Sequence, residues 1–354
     1  MVEKKEKKFE AKVDDASQKV QSRPTKKRIR NDKGHLIGFL VASAFLVAVT
    51  VVVISNFTVI SDFVVGMHYR PTPEMEQIRA DLNLTGTGYR IFNASQPELK
   101  ERAEFNQNCR EQENETAILG CYVNEKIYVY NVVDEELPGI RELATAHELL
   151  HAVYKRMPES EKNKWNDVLA SVYNENKDLL GDEIDLYSDE QKQEELYVRA
   201  GTEIKNLPDE LEKHFAEIFV EQDKVVDFYE SYIVIFREIE DKLEKLLLKI
   251  NSLQETINAK TTAYETGVES LNSAISEFNN CAKTLNCFTS TAVFNSKRAS
   301  LVAEQQRLKN AYDELSTLIT DYNALVAEYN DNVLHGQMLN MTINSSVNVE
   351  AVED

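Results

Sequence analysis

Residues 138–158 read PGIRELATAHELLHAVYKRMP, and within them His147-Glu148-Leu149-Leu150-His151 sets two histidines four positions apart. In a helix over 139–157 the two imidazoles stand one above the other on one face, with Glu148 about a third of a turn away. Pro138-Gly139 opens this helix and Pro158 ends it. Between them Ile140, Leu143, Ala144, His147, Leu150, His151 and Tyr154 recur at steps of three and four, and Lys155 and Arg156 suit the last turn. The histidines therefore fall inside the apolar stripe. Two imidazoles and a carboxylate on a buried face are costly unless they share a purpose, and the purpose that fits the spacing is a metal ion. Two core histidines with a glutamate beside them by chance would leave that cost unexplained.

A catalytic zinc takes three protein ligands and keeps one position open. His147 and His151 supply two, and Glu148 is placed to take a proton as water attacks a peptide carbonyl and to pass it to the leaving amine. The third ligand lies elsewhere. No Cys-x-x-Cys spacing is present, and residues 152–161 contain no histidine. Carboxylates on a predicted helix over 189–204 are the candidates, namely Glu194, Glu195 and Glu203. On that helix Leu196, Ala200 and Ile204 define the apolar side, which Glu194 or Glu203 flanks most closely. An oxyanion stabiliser is also expected, and Tyr154, Tyr197 and His214 are available for it.

With His147–His151 and Glu194-Glu195-Leu196-Tyr197, residues 86–220 resemble the gluzincin metallopeptidases, in which a downstream helix donates a glutamate. Gly139-Ile140, Glu195-Leu196 and Gly201-Thr202-Glu203 narrow the likeness to small membrane-anchored bacterial members of that group. The resemblance implies a zincin-like α+β domain and makes Glu195 the third zinc ligand. Where that group usually has Asn before the ligand and Asp four after it, this chain has Glu194 and Arg199.

The chain of 354 residues carries a net charge of −20, which argues against nucleic acid as a partner. The charge is uneven, since residues 1–34 hold 12 Lys/Arg against 6 Asp/Glu. Leu36 to Ile54 then run without a charge. As a helix they would span ~28 Å, the thickness of a bilayer core, so residues 35–57 are expected to form a transmembrane helix bound by lipid. The basic flank puts residues 1–34 in the cytoplasm and the rest outside it. All four cysteines follow the apolar run, in two close pairs, Cys109/Cys121 and Cys281/Cys287, which oxidising surroundings would join as disulfides.

Residues 58–222 are expected to form the metallopeptidase domain. Its predicted parts include a strand over Tyr89–Phe92 and a helix from Pro97 to about Asn108, opened by a capping box of Ser95 and Glu98. Ala117–Val123 and Lys126–Val132 read as a hairpin turning at Asn124-Glu125, whose free edge would hold an extended peptide. Residues 223–335 lack proline and keep heptad spacing. Leu301, Leu308, Leu315 and Tyr322 mark one half and Leu243, Leu246, Ile250 and Leu253 the other, so a coiled-coil hairpin clamped by Cys281 and Cys287 is expected. Residues 336–354 read as a polar, mobile tail. The functional expectation is a membrane-anchored, extracytoplasmic zinc metallopeptidase acting on peptide or protein substrates, with an arm able to hold a protein partner. The competing expectation is a membrane-anchored coiled-coil scaffold or adhesin whose metal site is structural or vestigial. Intramembrane proteolysis is disfavoured, because residues 139–157 are too polar for a membrane span.

Overall fold

The structure, a computed structural model, describes residues 32–109, 118–181, 184 and 187–345. The basic segment before Asp32, Ala117 of the first predicted hairpin strand and the end of the tail lie outside the described residues. The chain divides into two units at Ile60. The first holds helix α1 (Asp32–Ser55) and the start of α2 (Phe57–Gly66).

The expected transmembrane helix is not found. Among the described residues no single helix is long and apolar enough to cross a membrane, and only Val41–Ser55 with Phe57–Gly66, taken as a bent pair, has the length and composition. The break falls at Asn56, whose side-chain amide donates to the Val52 carbonyl at 2.9 Å beside its own backbone N–H. Val41, Phe45, Leu46 and Ile54 on α1 are exposed.

The second unit continues through α3 (Pro73–Asp81), α4 (Gly86–Ser95), β1 (Glu98–Lys100), α5 (Arg102–Asn108), β2 (Gly120–Val123), β3 (Lys126–Tyr130), α6 (Ile140–Arg156), α7 (Glu159–Glu175), α8 (Lys177–Leu180), α9 (Asp189–Glu203), α10 (Asp209–Phe215), α11 (Gln222–Lys283) and α12 (Thr291–Ile343). Helix accounts for 77% of the structure. The expectation of a zincin-like α+β domain is therefore corrected: the described strands are three short ones in a single sheet, in the order β1-β3-β2. β1 runs parallel to β3 and β2 antiparallel to it.

Two local readings account for much of that correction. Tyr89–Phe92, expected as a strand, lies in α4. Thr85 caps that helix by accepting from the Gly88 N–H, and Gly88, Ile91, Phe92 and Ser95 are buried at steps of three and four. Glu98–Lys100, expected inside a helix, instead pair with Tyr128–Tyr130, and the helix starts only at Arg102. Gln96, at φ 45°, ends α4 just before the chain turns into β1. The β2–β3 turn is as expected in place. Asn124 and Glu125 both have positive φ, the twist that a two-residue hairpin needs.

One core surrounds α6 and includes Ile78, Phe92, Leu149, Leu150, Trp165, Tyr197 and Phe215. A second lies beyond the sheet, where Phe105, Tyr130 and the disulfide Cys109–Cys121 meet Leu137 and Ile140. The two long helices form an antiparallel pair, since Lys242 bridges to Glu328, Lys260 to Glu314, and Tyr264 stacks near Tyr312. Leu246, Ile250, Leu271, Leu308 and Leu315 are the buried residues of its seam, and Cys281–Cys287 closes the far end. The base of this arm is not a separate domain. Val225 belongs to the core around α6, and Leu339 and Ile343 belong to the second core. The predicted tail from 336 is thus corrected as well: α12 runs on to Ile343 because those two side chains are buried.

Candidate metal centre

Helix α6 is positioned at both ends by close contacts. At its start Gly139 has φ 79°, and a Cβ there would come within 2.7 Å of Phe228 Cδ1 on α11. At its end Arg156 donates to Asp62 of α2 at 3.1 Å and to the Tyr122 hydroxyl of β2 at 2.9 Å. Asp62 is buried and also accepts from Arg90. The middle of α6 packs on α9, and the site lies between those two helices.

His147 Nε2 and His151 Nε2 are 3.3 Å apart. Glu195 Oε1 lies 3.8 Å from the first and Oε2 lies 3.6 Å from the second. One ligand atom from each of these three residues falls within 4.8 Å of the others, a spacing one ion can satisfy. Side-chain exposures of 26% for His147, 17% for His151 and 13% for Glu195 place the group at a border with solvent rather than in the core.

The other candidates have different places. Glu194 accepts from His151 Nδ1 at 2.9 Å and from Lys155 Nζ at 2.7 Å. Glu203 is spent on Arg199, which donates to both of its oxygens at 2.9 Å. Tyr197 and His214 lie in the core, with Tyr197 Oη and His214 Nε2 2.9 Å apart, and Tyr154 packs against Tyr197 at 5.3 Å between ring centroids.

Glu148 is 5% exposed. A Cβ on Gly120 would come within 2.5 Å of Glu148 Cγ and 2.8 Å of its Oε1, so the absence of a side chain on β2 makes the room that Glu148 occupies. Sequence reading did not single out Gly120. The signal was there, because a glycine inside a strand often marks a close approach. β2 is the outer strand beside β3, which brings a sheet edge next to this carboxylate.

Without an ion the two imidazoles differ. Burial, the neighbouring His151 and the Arg199 charge hold His147 well below the ordinary imidazole value. Burial would lower His151 too, but the Glu194 hydrogen bond and the charges of Glu148, Glu195 and Glu194 raise it to about 9. Burial raises Glu194, yet the bonds from His151 and Lys155 outweigh it and leave that carboxyl below its usual range. A metal ion bound where these three ligand atoms converge would displace a proton from His151. No family model, curated protein or solved structure matches this chain.

Proposed function

We propose that this chain is a zinc-dependent peptidase of the His-Glu-x-x-His type, with His147, His151 and Glu195 as ligands and Glu148 as general base. The observation that carries this reading is the convergence of the three ligand atoms, two from α6 and one from α9. The donors fit the ion. Two neutral imidazoles and one carboxylate are a common catalytic zinc set, and a group of three suits a working site better than a structural one, which usually closes with four. Zinc bound here supplies Lewis-acid chemistry, polarising a carbonyl oxygen and making water acidic near neutral pH.

The protein's own groups supply the rest. Glu148, a carboxylate in a nearly closed space beside the site, accepts a proton from the attacking water and returns it to the leaving nitrogen. Among the described strands β2 has β3 on one side only, and an extended peptide paired along its other side would bring a carbonyl alongside Glu148. The pairings Cys109–Cys121 and Cys281–Cys287 support work in an oxidising compartment outside the cytoplasm.

The test is zinc content and cleavage in the same preparation. Purified protein should hold one zinc per chain and cut a quenched fluorescent peptide. Glu148→Gln should keep both zinc and melting temperature while losing ~10²–10⁴-fold in turnover. Native protein free of zinc, or Glu148→Gln with full activity, would overturn the proposal.

A further inference from the structure

His151 has consecutive residues of one helix facing its two ring nitrogens. Glu195 stands 3.6 Å from Nε2, on the side where the ligand atoms converge, and Glu194 stands 2.9 Å from Nδ1 on the other. Glu194 holds its second oxygen 2.7 Å from the ammonium of Lys155, one turn beyond His151 on α6. We propose that Glu194 is a positioning residue of the metal site: it fixes the proton of His151 on Nδ1 and so turns the Nε2 lone pair toward the ion, with Lys155 steadying the carboxylate. This inference rests on the metal reading above and adds to it what selects the state of one ligand.

The chemistry follows from what a carboxylate can do. Ionised, it accepts hydrogen bonds and donates none, so a bond of this length to an imidazole nitrogen requires the hydrogen to be on that nitrogen. With the hydrogen held on Nδ1, Nε2 is the nitrogen that gives up its proton and presents a pair to an ion. The anchoring is also geometric. Held by His151 and Lys155 together, Glu194 is tied to two points on α6 four residues apart, which resists rotation of the ring about its bond to the chain. Exposure separates the two partners: Glu194 is 14% exposed and Lys155 57%, so the bond to His151 is shielded while the ammonium is screened by water. Removing the carboxylate should therefore matter more than removing the ammonium. Outer hydrogen bonds of this kind are worth ~10–100-fold in metal affinity.

The experiment uses the full chain stripped of metal, with zinc titrated against a chromophoric chelator, and records the melting temperature of each metal-free variant. Glu194→Ala should weaken zinc binding by ~10–100-fold. Glu194→Gln, whose amide oxygen still accepts from Nδ1–H, should lose less, and Lys155→Met less again. A residue that only stabilises the fold would lower the melting temperature while the folded variant kept its zinc affinity. That result, or Glu194→Ala binding zinc within about twofold of the parent, overturns the positioning role and leaves the metal reading standing. A parent protein that takes up no zinc overturns the metal reading itself.

Discussion

Replacing Gly120 by alanine should separate metal binding from catalysis. The residue has no positive φ, so alanine is acceptable to the backbone and only space opposes it. The added Cβ would lie 2.5 Å from Glu148 Cγ. Carbon atoms settle at ~3.5–4.0 Å, so the carboxylate arm must retreat by about 1 Å. It has little room, because Glu148 is 5% exposed and the clash falls on Cγ at 2.5 Å as well as on Oε1 at 2.8 Å. Displacing a catalytic group by ~1 Å costs on the order of 10²-fold in rate, equivalent to about 2.7 kcal/mol of barrier. Overpacking should also remove ~1–3 kcal/mol of stability. The three atoms nearest the new Cβ all belong to Glu148, so His147, His151 and Glu195 keep their places and zinc affinity should hold. The assay is kcat/KM on a fluorogenic peptide with zinc content measured on the same sample. Zinc-loaded Gly120→Ala with kcat/KM within about twofold of the parent would show that Glu148 is not the base, or that it does not work from this position.

Two further outcomes follow from the packing. Cutting the arm at its middle, by replacing residues 251–321 with a short flexible link, should preserve zinc binding and cleavage of a small peptide, because the buried contacts at the base remain. Removing residues 225–335 should instead prevent folding, since Val225, Val226 and Tyr229 are core residues; soluble, zinc-binding protein from that deletion would contradict it. Burial holds His214 below its ordinary value against the charges of Glu161 and Glu217, so it is neutral when folded at pH 7. The unfolded chain then binds more protons below ~6.5, and the stability His214 contributes is full above that pH and lost as pH falls through it. Melting curves of His214→Phe between pH 7.5 and 5 should decline less steeply than those of the parent, and equal slopes would remove this role.

The histidine helix was legible because its signals agree: periodicity, a glycine and proline at the start and a proline at the end all fall within one stretch. The arm was legible for the same reason, with its heptads sustained over many turns. Short elements were not. Tyr89–Phe92 carries strand-forming side chains, but the cap on Thr85 and burial at helical spacing decide in favour of helix. Glu98–Lys100 become a strand only because β3 is there to pair with them, a partner some thirty residues away in sequence. The wheel of α9 fails in a more instructive way. It assumes that the face turned inward is apolar, so it looks for the ligand beside Leu196, Ala200 and Ile204. In the structure α9 turns Glu194 and Glu195 toward α6, and the two helices meet there across a polar seam. Resemblance points to Glu195, and the pairings of Arg199 with Glu203 and of Lys155 with Glu194 account for the other two carboxylates.

That seam explains why the arm, the edge strand and the metal group belong to one mechanical unit. Ligands from two helices stay within reach of one ion only if neither helix can slide. α6 is fixed at its start by Phe228 of the arm against Gly139, where a Cβ would meet the ring at 2.7 Å, and at its end by Arg156 against Asp62 and Tyr122. The Tyr122 contact reaches β2, the same strand whose Gly120 makes room for Glu148. Glu148 and the sheet edge are thus referenced to the same helix as the two histidines, so the distance between this carboxylate and the two imidazoles is set by the core. A site built this way should keep its ligand geometry when metal-free and lose little to reorganisation when an ion binds.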